Sequence, residues 1–247
     1  MQLTVKLFSY VFFINFAAFF VKGLAGFGDP LISSPLLALF FDSKMISPTN
    51  LCFGTPINGY MVWKNRHNFS VKQALPMLLS ILCGVIPGTI LLRYASSWII
   101  KAGLGVLLLG IGAEMLTRNR SRQINHNNFA MVAACFLSGV SSGLYGINLF
   151  FVAYLERTTK GRNAFRANIC FIFFIENVFR VFAYIISGVF NKYILLLVFI
   201  SLPGVLLGFI VGSKVNTKLN DVTIWKIIIF VFMLGGLSVL INALALR

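Results

Sequence analysis

The sequence is a succession of apolar runs, each near twenty residues or longer, separated by short polar stretches rich in Lys and Arg. The runs fall at 7–41, 45–63, 73–93, 97–116, 129–155, 163–188, 193–212 and 222–246. A helix needs about 20 predominantly apolar residues to cross the ~30 Å hydrocarbon core of a bilayer. Eight crossings would use about 160 residues, which leaves short loops in a chain of 247 and no room for a sizeable soluble domain. Composition agrees: 58% of the residues are hydrophobic and 11% are charged, against about a quarter charged in soluble domains. Too few charges remain to cover a water-soluble body of this size. The expected fold class is therefore an all-α polytopic membrane protein.

The formal charge is +15, from 21 Lys and Arg against 6 Asp and Glu. In a soluble protein that excess would suggest nucleic acid. Here the basic residues lie between apolar runs, where they set topology and meet anionic lipid, so no nucleic-acid partner is expected. Cys52, Cys83, Cys135 and Cys170 all lie inside apolar runs and form no Cys-x-x-Cys pair. They read as small packing residues, without zinc or redox chemistry. His67 and His126 sit in polar loops, and no Ser/His or His/Glu set lies in a span. No metal site, cofactor or enzymatic activity is expected. Trp63, Trp98 and Trp225 fall at run ends, as interfacial anchors do. Lys6 followed by the apolar 7–21 has the outline of a signal peptide. It runs directly into a glycine motif that recurs later, so it is read as the first membrane segment.

A basic linker at 117–128 separates two halves, 1–116 and 129–247, with the same rhythm: one broken segment, then three plain ones. At an offset of 120 residues Gly23-Leu-Ala-Gly26 matches Gly143-Leu-Tyr-Gly146, and Gly84-Val85 with Gly88 match Gly204-Val205 with Gly208. The expectation is two pseudo-symmetric repeats, a common transporter design. Charge counting then sets their orientation. If each broken segment crosses once, the basic residues divide nine against ten, which would be unusual for a membrane protein. If each enters and returns to the same side, only Lys6, Lys44, Arg93, Lys101, Lys192 and Arg247 lie on one side, and thirteen lie on the other. Lys22 and Arg180 are left within segments. The re-entrant arrangement obeys the positive-inside rule. It makes the repeats inverted and puts both termini on the non-cytoplasmic side. The stretch 31–41, about 17 Å of helix, suits a half-helix returning from mid-membrane.

Three places are expected to carry the chemistry. The first break, Gly26-Phe27-Gly28-Asp29-Pro30, interrupts an apolar run with residues made for turns and helix starts. Asp29 is the natural N-cap, and free N–H groups at a new helix start suit an anion. The second break is read from Gly139 to Asn148, with Gly146 and Asn148 as site residues and Ser141 and Ser142 as small polar groups. It also reads as small-residue helix packing. Related by the repeat, the two breaks should meet near the bilayer midplane, where broken helices bind transported substrates. The third place is Glu176, Asn177 and Arg180, in the middle of an apolar span. Charge there costs several kcal/mol. Glu176 and Arg180 are four apart and share a helix face. They read either as a self-neutralising packing pair or as a site in which Arg180 contacts an oxyanion and Glu176 tunes its field or carries a proton. Arg166 reads as an ordinary anchor or a guard at the entrance. Lys22 and Glu114, near span ends, are expected to snorkel to the interface.

These motifs, in this order, resemble the TauE/SafE family of sulfite-exporter-like permeases. The resemblance covers nearly the whole chain. It rests on the first break followed by Pro35-Leu-Leu, on Gly84-Val-Ile-Pro-Gly88, and on the second break ending in Tyr154-Leu155. Phe165-Arg166-Ala167, Asn177, Arg180, Tyr184 and Gly188 also follow the family pattern. Two departures fall on the substrate-facing turns: Asp29-Pro30 follows Gly28, where the family is richer in glycine, and Ile147-Asn148-Leu149 stands where it usually has Gly-Gly-Pro. The resemblance implies export of sulfite, an organosulfonate or a related sulfur anion. The combined expectation is an alternating-access permease of the bacterial inner membrane, driven by a proton or ion gradient. Its partners are a small anion and the lipid bilayer, and a homo-oligomer is compatible with the sequence. A permease for another small metabolite or a metal ion, or a membrane partner protein without transport, is the alternative.

Overall fold

A computed structural model describes residues 5–64, 71–117, 127–159 and 162–215, with single positions between 230 and 244. Among the described residues the secondary structure is helical throughout, without strands. The order is α1 (Val5–Ala25), α2 (Asp29–Leu37), α3 (Ser43–Lys64), α4 (Val71–Tyr94), α5 (Ser97–Thr117), α6 (Asn128–Tyr145), α7 (Leu149–Thr158), α8 (Arg162–Ile186) and α9 (Lys192–Val215). Six of these (α1, α4, α5, α6, α8 and α9) are long and apolar enough to cross a membrane. The fold is therefore that of a multi-pass helical membrane protein. The expected segment at 222–246, Trp225 and most of the 117–128 linker lie outside the described residues.

The long helices turn apolar rows outward, as burial in a membrane requires. On α4, Leu75, Leu79, Ile86 and Ile90 are about half exposed, while Ala74, Ile81, Val85 and Leu92 are buried against protein. On α9, Leu195, Phe199, Leu202, Leu206 and Ile210 face outward, and Ile194, Leu197, Ser201 and Val205 face inward. Water would not tolerate the outward rows; lipid does. α3 is long enough to span at 22 residues, yet it falls outside the six because it carries Ser47, Thr49, Asn50 and Asn58. All four are buried, so its polarity faces protein rather than lipid. Trp63 and Trp98 sit in the last turn of α3 and the first of α5, each partly exposed.

The helices gather into two compact units. One lies within Met1–Asn50, Ser96–Thr117 and Asn191–Arg247, the other within Leu51–Ala95 and Arg118–Phe190. Each unit draws helices from both sequence halves, and α3 is divided between them at Asn50 and Leu51. In the first unit α1 packs along α9; in the second α4 packs along α6. Both contacts bring backbone against backbone. A Cβ on Gly204, Gly208 or Gly212 would collide with the main chain of Phe12, Phe16 and Phe20. One on Gly84 or Gly88 would collide with Phe136 and Val140. Small residues allow this approach, and van der Waals contact then holds the pair in lipid. Asn15 adds a polar tie between α1 and α9, donating to Ser201 Oγ at 3.2 Å.

Candidate functional site

The first break occupies residues 26–28 in the first unit. Gly26 and Gly28 take φ of 88° and 103°, a left-handed region closed to most side chains. Gly26 N–H closes the end of α1 on Lys22 O at 2.8 Å. α2 then starts at Asp29 with Pro30 in its first turn, and Gly28, not Asp29, holds the cap position. The Asp29 carboxylate makes no cap bond. It turns back across the break and accepts from Lys22 Nζ at 2.9 Å, with both side chains buried. Two expectations are corrected here. Asp29 is not a side-chain cap, because a cation competes for its carboxylate. Lys22 does not snorkel, because its partner lies inside. The ammonium stands at the C-terminal end of α1 and the carboxylate at the N-terminal end of α2, so each opposes the partial charge of its own helix end.

Small polar groups extend this pair. Ser33 Oγ donates to Asp29 O at 2.8 Å. From α3, Asn50 Nδ2 donates to Ser33 Oγ at 2.9 Å and to Ser34 Oγ at 3.4 Å. Asn50 Oδ1 is buried with no hydrogen-bond partner among the described residues. Lys22 and Asn50 were not singled out as site residues from the sequence. The signal available was the spacing of Lys22 and Asp29, seven apart on either side of a glycine turn.

The second break, in the second unit, is shorter than expected. α6 runs unbroken through Gly139 and Gly143 to Tyr145, and only Gly146–Asn148 interrupts it. Gly139 and Gly143 are packing glycines, pressed on the main chain of α4 at Ile81 and Val85. Glycine serves both purposes, and the sequence did not separate them. Gly146 takes φ of 76°, and its N–H closes α6 on Ser142 O at 2.8 Å. Asn148 holds the cap position of α7 without making a side-chain cap bond.

Asn148 reaches α8 instead. Its Nδ2 donates to Glu176 Oε2 at 2.6 Å and to Ser142 Oγ at 3.2 Å. Ser142 Oγ donates to Glu176 Oε1. Both carboxylate oxygens are thus held by neutral donors from the second break. Ser138 Oγ lies within 3.4 Å of Asn148 Oδ1 and receives the Phe151 N–H at 3.1 Å. Arg180 Nη1 lies 4.0 Å from Glu176 Oε1, so the expected shared face is present. Arg180 Nη2 donates to the Tyr184 hydroxyl at 2.9 Å, which in turn donates to Gly143 O at 2.6 Å. Glu176, Arg180 and Tyr184 are all nearly inaccessible. Asn177 is buried beside them but joins none of these bonds. The Arg166 side chain lies outside the described residues.

The structure therefore brings Asn148, Glu176 and Arg180 together with Ser142 and Tyr184. It separately joins Asp29 to Lys22 beside Gly26 and Gly28. Each break carries one buried cation–carboxylate pair, and at the second break hydroxyl and amide groups hold both charged partners. Such a pair adds little stability over well-packed apolar residues, and ionisable groups within spans mark transport paths. Each pair sets a fixed cation beside a carboxylate, shielded from water.

No curated protein and no solved structure matches the chain. A family model does, that of the sulfite exporter TauE/SafE, over residues 11–239. That match covers nearly the whole chain and both breaks, and the chain belongs to the TauE/SafE sulfite exporter family.

Proposed function

We propose that the protein is a permease that exports sulfite, or a closely related organosulfonate, by alternating access across the bacterial inner membrane. Family membership implies a membrane transporter of the sulfite type. The observation that carries the finer reading is the buried Arg180–Glu176 pair at the second break. Arg180 contacts the anion, with the forked donors that suit an oxyanion and a guanidinium braced by Tyr184. Glu176 balances that charge and couples transport to a proton or ion. At the second break the Gly146 backbone, with Asn148 and Asn177, completes the contacts, and Gly26 and Gly28 give the first break a substrate-facing turn of its own.

The proposal includes two inverted repeats, 1–116 and 129–247, joined by the 117–128 linker. They supply eight membrane segments, with α3 and 222–246 joining the six apolar spans. Support comes from the way matched glycines serve matched purposes. Gly26 and Gly146 both turn the chain at positive φ. Gly23 and Gly143 both press on a partner helix, as do Gly84 and Gly204, and Gly88 and Gly208. The pairing of α1 with α9 is answered by that of α6 with α4.

The test is flux of labelled sulfite into proteoliposomes by the wild type and by Arg180→Ala. The wild type is expected to transport, and the variant to insert into the membrane but not transport. Normal flux through Arg180→Ala refutes the site assignment.

A further inference from the structure

The Lys22–Asp29 pair is not the repeat counterpart of Glu176–Arg180. At the offset of 120 residues, Lys22 and Asp29 correspond to Ser142 and Leu149, and Glu176 and Arg180 to Pro56 and Tyr60. The repeat offset therefore does not relate one pair to the other. Stability accounts for the first pair poorly, because desolvating both charges offsets most of their attraction.

A second observation lies one helical turn along α2. Ser33 spends its hydroxyl proton on Asp29 O, so its oxygen faces Asn50 only as an acceptor. That fixes the Asn50 amide with Nδ2 toward Ser33 and leaves Oδ1 without a donor. Asn50 is 3% exposed, and a buried acceptor left unmatched costs about 1–3 kcal/mol. The cluster therefore holds a cation, a carboxylate that occupies it, and an acceptor awaiting a donor. A metal cation would meet the Lys22 ammonium. A small oxyanion that carries an O–H has the group each of them lacks: charged oxygens for Lys22 Nζ and a hydroxyl donor for Asn50 Oδ1.

We propose that Lys22 is an anion-binding residue, that Asp29 is a resident carboxylate standing in for the ligand in the empty protein, and that Asn50 selects hydroxyl-bearing oxyanions such as hydrogen sulfite. The proposal rests on the first break facing substrate, as in the reading above. It assigns Asp29 the opposite role from a ligand contact: the incoming anion replaces it on Nζ.

The test is thermal unfolding of the purified full-length protein in micelles, titrated with hydrogen sulfite and with methanesulfonate, which has no O–H. Asp29→Asn is expected to lower the half-saturating hydrogen sulfite concentration at least tenfold, and Lys22→Gln to raise it at least tenfold. The neutral double variant, Lys22→Gln with Asp29→Asn, leaves no unpaired buried charge. It is expected to fold and still fail to respond, which decides the matter even if a single variant does not fold. Asn50→Leu is expected to erase the preference for hydrogen sulfite over methanesulfonate. A double variant that titrates like the wild type means the pair is a structural bridge and overturns the proposal, as does an unchanged preference in Asn50→Leu. Sulfite flux separates the two readings. Wild-type flux with a responsive double variant defeats only the Lys22 site. No flux, with the Lys22 pattern intact, defeats only the transport reading.

Discussion

Replacing Glu176 by Gln keeps the shape of the side chain and removes its charge. Arg180 then lies 4.0 Å from a neutral amide. At that separation and an effective dielectric of about 20, the lost attraction is about 4 kcal/mol. The new NH2 also faces Ser142 or Asn148, both donors to the carboxylate. A mismatched donor costs about 1–3 kcal/mol in water-soluble proteins and less in a bilayer, where such bonds average about 0.6 kcal/mol. The expected loss for Glu176→Gln is about 3–5 kcal/mol, the range found when one partner of a buried pair is removed. Arg180→Gln should lose a similar amount for the same reason. Their combination leaves no unpaired charge, so the double variant should recover about 2–4 kcal/mol relative to the sum of the two. Reversible unfolding in mixed micelles measures all four corners of the cycle. Stabilities that add to within about 0.5 kcal/mol would mean that the two residues do not interact and that the second break holds no ion pair. Flux through the double variant supplies a second reading: a folded but inactive protein is expected.

Tyr184→Phe removes the hydroxyl that joins Arg180 to Gly143 O. It should cost about 1–3 kcal/mol and weaken sulfite uptake more than it weakens insertion. Uptake equal to the wild type would show that Arg180 needs no brace. A reporter fused after Arg247 should read as non-cytoplasmic; a cytoplasmic signal removes the inverted topology.

Much of this architecture is legible in the sequence because membrane burial writes plain signals. Apolar runs near twenty residues located the long helices, and the Gly26–Pro30 stretch located the first break. Glu176 and Arg180 stood out because charge within an apolar run is costly wherever it faces. Lys22 did not stand out. Its place near the end of a run fits snorkelling as well as pairing, and only the turn at Gly26–Gly28 decides which way it points. Asn50 lies in a helix with several polar residues, and nothing local distinguishes the one that meets Ser33. The second break was drawn too long because glycine either turns a chain or admits a neighbour. Gly139 does the second and Gly146 the first, and the difference is made by α4, far away in sequence. The two compact units were not legible either. They arise from the pairing of α1 with α9 and α4 with α6, contacts that no sequence-local pattern encodes.

A carrier that moves a sulfite-type anion by alternating access exchanges it across the membrane, and counterflow reads that exchange. Proteoliposomes loaded with unlabelled sulfite are diluted into trace labelled sulfite, with sulfonates, thiosulfate and sulfate as competitors. Label is expected to accumulate transiently above the equilibrium level, and one or more of the competitors to reduce that accumulation. Label that never exceeds the level in protein-free vesicles would contradict it.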